Sequence, residues 1–121
     1  MPQLPDEAMV VRGGSNLPEN FVRGSGVTVG TDGALQGVSV NAGVGLSVAD
    51  LTAANPQTGY PGILNNQVGV TTVGAIRARG GDVEPSPSRA NPNHSTFTGL
   101  TPKEARELLR PIVLNPSRRQ P

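Results

Sequence analysis

Apolar residues come in short runs separated by Gly, Pro, Asn and Asp, so the chain reads as many short elements. Ala8-Met9-Val10-Val11-Arg12 is one such run, ended by Gly13-Gly14, and predicts a first strand. The stretch 15–25 has no clear period despite Leu17 and Phe21 and reads as loop. Val27-Thr28-Val29 and Gly37-Val38-Ser39-Val40 alternate apolar and polar positions around Gly30-Thr31-Asp32-Gly33, which predicts a hairpin between them.

Capping patterns mark three short helices. Ser47 with Asp50 three positions on opens a helix carrying Val48, Leu51 and Ala54, and Asn55-Pro56 stops it. Val68-Gly69-Val70 reads as a strand leading into a helix capped by Thr71 or Thr72, with Val73, Ala75 and Ile76 inward and Gly80-Gly81 at its end. Thr101-Pro102-Lys103-Glu104 combines a capping box with Pro at the first helical position; Ala105, Leu108 and Leu109 form the buried face and Pro111 the stop. Between these, 56–67 is a turn-rich loop holding Tyr60, 84–92 is a Pro-rich spacer, and His94-Ser95-Thr96-Phe97-Thr98 is a strand. Period two puts His94, Thr96 and Thr98 on one face of that strand, opposite Ser95 and Phe97.

These elements predict an α+β fold: a small, mostly antiparallel sheet with two or three short helices. Residues 1–7 read as a flexible lead-in, 8–114 as a single compact domain and 115–121 as a flexible basic tail. Composition refines this. With two Phe, one Tyr and no Trp, the core rests on 14 valines and 10 leucines, a balance that favours pleated surfaces. The 121 residues suit one domain.

Charge and cysteine content narrow the function classes. A formal net charge of +1 supplies no global field for nucleic acid or membrane, so any such partner must be held by a local cluster. Nine of the ten basic residues are Arg, which suits bidentate recognition of phosphate or carboxylate. With no Cys and one His, no recognisable metal-ligand set is present, and neither a metal nor a cofactor is expected. No apolar run approaches a membrane span, and the acidic start does not read as a signal peptide, so a cytoplasmic location with no membrane partner is the expectation.

Candidate chemistry centres on His94, the only side chain here whose ordinary titration suits proton shuttling near neutrality. On its strand it stands in a row of hydroxyls, an arrangement suited to moving a proton on a ribose or phosphate ester. Ser95 and Thr96 are candidate polar assistants, and Arg12, Arg77 and Arg79 are candidate phosphate ligands. Arg77 and Arg79 also fall in a last helical turn, where cations favour the helix dipole.

Two local resemblances bear on this. Arg12 in Val10-Val11-Arg12-Gly13-Gly14 resembles the strand-ending Arg-Gly of ADP-ribosyltransferases, and Ser95-Thr96 resembles their Ser-Thr element. That resemblance implies an arginine positioning NAD, although Glu104 and Glu107 fall on a helix and not in the expected glutamate motif. A compact sheet with a late-strand His, neighbouring Ser/Thr and several arginines resembles small bacterial metal-independent ribonuclease toxins. It implies action on RNA with His94 as acid/base, Arg12, Arg77 and Arg79 on phosphate, and a protein partner such as a cognate inhibitor. A partner-binding module without catalysis is the third expectation, suggested by the neutral charge, the Pro-rich spacer and the basic tail.

Overall fold

The computed structural model of the protein describes residues 3–24, 26–109 and 112–118. In chain order the elements are β1 (Met9–Gly13), α1 (Pro18–Val22), β2 (Thr28–Val29), β3 (Leu35–Gln36), β4 (Val38–Gly43), α2 (Val48–Thr52), β5 (Gln67–Thr72), α3 (Val73–Ala78), β6 (Asp82–Pro85), β7 (His94–Thr98), α4 (Pro102–Leu108) and β8 (Ile112–Leu114). Six strands form one antiparallel sheet in the order β6-β7-β4-β1-β5-β8, and β2 and β3 pair separately. The expected α+β class with a small antiparallel sheet is the observed one. Among the described residues no helix is long and apolar enough to cross a membrane.

Alternation along the strands gives the sheet two different faces. Val10, Val38, Val40, Ala42, Val83 and Phe97 share one face and pack under Phe21 of α1, Val73 and Ile76 of α3, and Ala105 and Leu109 at α4. Phe21 and Phe97 meet edge to face at 6.0 Å and 67°, the geometry aromatic quadrupoles favour. The other face carries a smaller core of Val11, Leu51 and Val68, with Met9, Leu46, Ile63 and Val70 around it. α2 and the 60–66 loop pack on that second face, and a groove remains toward its β4-β7 side.

The helix caps follow the sequence. Ser47 Oγ accepts the Asp50 N–H at 3.1 Å while Asp50 accepts the Ser47 N–H at 2.9 Å, and Thr101 and Glu104 exchange the same pair at 3.2 and 3.0 Å. Of the two candidate caps for α3 it is Thr72 that takes the Ala75 N–H, at 3.1 Å.

Four local readings differ from expectation. The hairpin pairs β2 with Leu35–Gln36, not with the strand after Gly37. Gly37, at φ 75°, turns the chain so that Val38 onward enters the main sheet, while buried Leu35 bonds its N–H to the Leu100 carbonyl. The stretch 15–25 contains α1, started by Pro18 and by Asn20 accepting the Leu17 N–H. The first part of the Pro-rich spacer is β6, an edge strand that tolerates Pro85 because its outer side needs no ladder bond. Residues 112–114 form the opposite edge, β8.

The expected lead-in and tail are partly tied down. Leu4 packs on the main core, the Asp6 carbonyl accepts the Gly74 N–H, and the Asp6 carboxylate meets Arg77 at 2.7 Å. Asn115 is fully buried and donates to the Ile63 and Asn65 carbonyls at 2.7 and 2.8 Å. The predicted helix stop at Pro111 and the residues 1–2 and 119–121 lie outside the described residues.

Candidate functional site

On the open face of the sheet, Val11, Asn41 and His94 stand in one row across β1, β4 and β7. They floor a groove of about 560 Å³ whose walls come from two loops: Tyr60, Ile63 and Asn65 on one side, Ser88, Ala90 and Asn91 on the other. Thr58 Oγ1 ties the walls together by donating to the Ala90 carbonyl at 2.6 Å. The first wall lies close to the sheet because Gly13 has no side chain: a Cβ there would sit 2.3 Å from Asn65 Oδ1 and 2.7 Å from Ile63 Cγ2.

His94 is held from behind. Its Nδ1 lies 2.9 Å from the Ser86 carbonyl oxygen and 2.9 Å from Ser86 Oγ. A carbonyl only accepts, so that contact is a hydrogen bond when Nδ1 carries the proton, while the Ser86 hydroxyl pairs with either tautomer; in the neutral ring protonated at Nδ1, Nε2 carries the free lone pair. Among the described residues Nε2 has no hydrogen-bond partner. In that neutral tautomer the imidazole offers the groove a proton acceptor.

Beside it runs a chain of carboxamides whose direction is set by main-chain groups. Asn91 Oδ1 accepts the Asn93 N–H at 3.2 Å, so Asn91 Nδ2 points to Asn41 Oδ1, at 2.8 Å. Asn41 Nδ2 then donates to the Leu51 carbonyl at 2.8 Å and to the Tyr60 hydroxyl at 3.1 Å. Asn41 and Asn91 are only 5% and 7% exposed, so their amides need these partners to offset desolvation.

The other five residues singled out from sequence are not gathered around His94. Thr96 shares its face of the sheet, one pleat on, in a row with Ser39 and Glu84. Ser95 is buried on the helix-covered face beside Val40. Arg12 borders the groove, but its guanidinium stands on the opposite face of the sheet. There its guanidinium lies 4.8 Å from the Phe21 ring centroid and donates from Nη1 to Asn16 Oδ1 at 2.7 Å. Burial lowers the Arg12 pKa by desolvating the cation. Arg77 joins Asp6 and Asp82 at 2.7 and 2.9 Å, and Arg79 joins Glu107 at 2.6 Å and Glu104 at 3.7 Å. Hydrogen bonds to those carboxylates, Asp6 first for Arg77 and Glu107 for Arg79, raise both pKa values, so each guanidinium is already engaged.

Among the lining residues that sequence reading passed over are Asn41, Tyr60, Asn65, Ser88 and Asn91. One signal was present: apolar Val38, Val40 and Ala42 leave Asn41 on the other face, where an amide in a strand needs a reason. Arg89, exposed between the lining residues Ser88 and Ala90, has no carboxylate partner among the described residues. No three of His, Cys, Asp and Glu among the described residues form a group that could hold a metal ion.

Comparison with known proteins finds no similarity: no family model matches the chain, and no curated protein or solved structure matches it significantly.

Proposed function

We propose that the protein is a small enzyme that acts on RNA without a metal, using His94 Nε2 as the base in the groove. The supporting observation is the placement of His94, whose Nδ1 lies 2.9 Å from the Ser86 carbonyl and whose other nitrogen is unclaimed in a groove lined by apolar side chains together with amide and hydroxyl groups. In the reaction the ribose 2′-hydroxyl gives its proton to Nε2 and O2′ forms a bond to phosphorus. The P–O5′ bond breaks, and the leaving oxygen takes a proton from solvent, which the open groove admits. The products are a 2′,3′-cyclic phosphate and a 5′-hydroxyl.

The phosphate ligands in this reading differ from those expected at first. With the Arg12, Arg77 and Arg79 guanidiniums engaged elsewhere, the exposed Arg89, between the lining residues Ser88 and Ala90 in sequence, is the cation this reading assigns to phosphate. The same reading carries the expectations of a cytoplasmic setting and of a protein inhibitor that covers the groove. The test is incubation of the protein with a short synthetic RNA in the presence of a chelator. Appearance of a cyclic phosphate end in wild type and its loss in His94→Ala support the proposal; an intact substrate, or equal cleavage by the variant, overturns it.

A further inference from the structure

We infer that the Tyr60 hydroxyl is the groove's dedicated hydrogen-bond donor and holds a non-bridging phosphate oxygen of the RNA while His94 takes the 2′ proton. This rests on the RNA reading above and names a second residue that touches the substrate.

The argument begins at two main-chain groups and moves inward. The Asn93 N–H can only donate, so the atom of Asn91 facing it is Oδ1 and the atom facing Asn41 is Nδ2. The Leu51 carbonyl can only accept, so the atom of Asn41 facing it is Nδ2, the same atom that lies 3.1 Å from the Tyr60 oxygen. Both ends agree on one polarity for the chain, and under it Tyr60 receives a hydrogen bond from Asn41. The phenolic proton is then directed away from the amides, and no acceptor for it is found among the described residues. The accepted bond also strengthens the hydroxyl as a donor, since hydrogen bonds in a chain polarise one another.

Tyr60 is held in place for this task. Its carbonyl accepts the Asn55 N–H at 2.9 Å, the Gly59 N–H bonds the Asn55 carbonyl at 2.9 Å, and the Ile63 N–H bonds the Thr52 carbonyl at 3.0 Å. At Gly62, with φ 78°, a Cβ would lie 2.5 Å from the Thr52 carbonyl oxygen, so only glycine lets this loop close on the end of α2.

The groove thus contains an unclaimed ring nitrogen, His94 Nε2, and an unclaimed hydroxyl proton, Tyr60 O–H. The row that places Asn41 directly opposite His94 puts these two groups on either side of one amide. A ligand that satisfies both must bring a donor and an acceptor. A ribose 2′-hydroxyl next to its own phosphate does so.

Tyr60→Phe keeps the ring and removes the donor, and Asn41 Nδ2 retains the Leu51 carbonyl, so the variant keeps its fold. The experiment compares wild type and Tyr60→Phe on a dinucleotide and on its two phosphorothioate diastereomers, each with sulfur in place of one non-bridging oxygen. The expected result is a fall in kcat of about 100-fold for Tyr60→Phe with KM little changed. Wild type is also expected to discriminate between the diastereomers and the variant to treat them alike, a difference no purely structural role would produce. Wild-type cleavage with an unchanged rate in Tyr60→Phe, or with the same diastereomer preference in both proteins, overturns the assignment of Tyr60 alone. No cleavage by wild type overturns the RNA reading and this inference with it.

Discussion

Arg12 and His94 belong to one sheet, yet they present their side chains to opposite faces. His94 is in register with Asn41 and Asn41 with Val11, so the residue one step along from Val11 points the other way. Arg12 accordingly stacks on Phe21 and bonds Asn16, while His94 looks into the groove. The arginine that resembles an NAD-positioning residue is packed in the helix-covered half of the molecule.

Replacing Arg12 is therefore expected to affect stability before chemistry. Arg12→Ala removes the cation–π contact and the Asn16 hydrogen bond and is expected to destabilise the protein by roughly 1–3 kcal/mol. Urea denaturation checks the loss. RNA cleavage per folded molecule is expected to stay near wild type.

His94→Ala is expected to lower kcat on RNA by about 10²- to 10⁴-fold, the usual range for a general base. Single-turnover cleavage assays measure it. His94→Gln, which preserves a polar group near the Ser86 carbonyl, is expected to be equally inactive.

Arg89 is expected to act through the phosphate backbone. Arg89→Ala should weaken binding of a non-cleavable 2′-fluoro RNA and reduce the slope of log K against log salt by about 1. Fluorescence anisotropy across a salt series reads both. An unaltered slope removes Arg89 from the contact.

Acid should destabilise the fold through three carboxylates. The Arg77 hydrogen bond, with the Val83 N–H, holds Asp82 below its ordinary 3.8; the Ser47 N–H holds Asp50 below 3.8; the Thr101 N–H holds Glu104 below 4.5. A folded pKa below the unfolded value means each carboxylate stabilises the native state at pH above 4.5 and 3.8, and that this stabilisation disappears as pH falls through the lowered folded values. The unfolding midpoint, followed by circular dichroism, is expected to drop across that range. Glu104→Gln should lower it at neutral pH and flatten the acid limb.

Gly62→Ala is expected to disturb the Tyr60 wall, because the added Cβ meets main-chain atoms of Thr52 and Ala54 at 2.5 and 2.8 Å and the residue sits at φ 78°. A loss of about 1–3 kcal/mol follows from overpacking and strain. Thermal unfolding together with Tyr60 fluorescence, the only tyrosine signal in the chain, tests this.

The capping boxes at Ser47 and Thr101, the strand from His94 to Thr98 with its two faces, and the antiparallel α+β class were legible because each rests on neighbours in sequence. Caps join residues three apart, and alternation along a strand needs no partner to be known. The hairpin was misread for a physical reason: Val38 and Val40 alternate equally well in either pairing, and only Gly37's positive φ and the pull of the Leu35–Leu100 contact decide between them. β6 and β8 were missed because edge strands are short and their ladder is supplied by one neighbour alone.

By itself, then, the sequence determined the α+β class, the helix caps and the two faces of the His94 strand, since these depend on residue type and short spacing. Tertiary structure alone decided which side chains meet. It sent Arg12 to the core face, occupied Arg77 and Arg79 with carboxylates, and brought Asn41, Tyr60 and Asn91 together from separate segments. Long-range register, absent from any local window, determines which face of a sheet a residue serves. One step along β1 separates the floor of the groove from the packed interior.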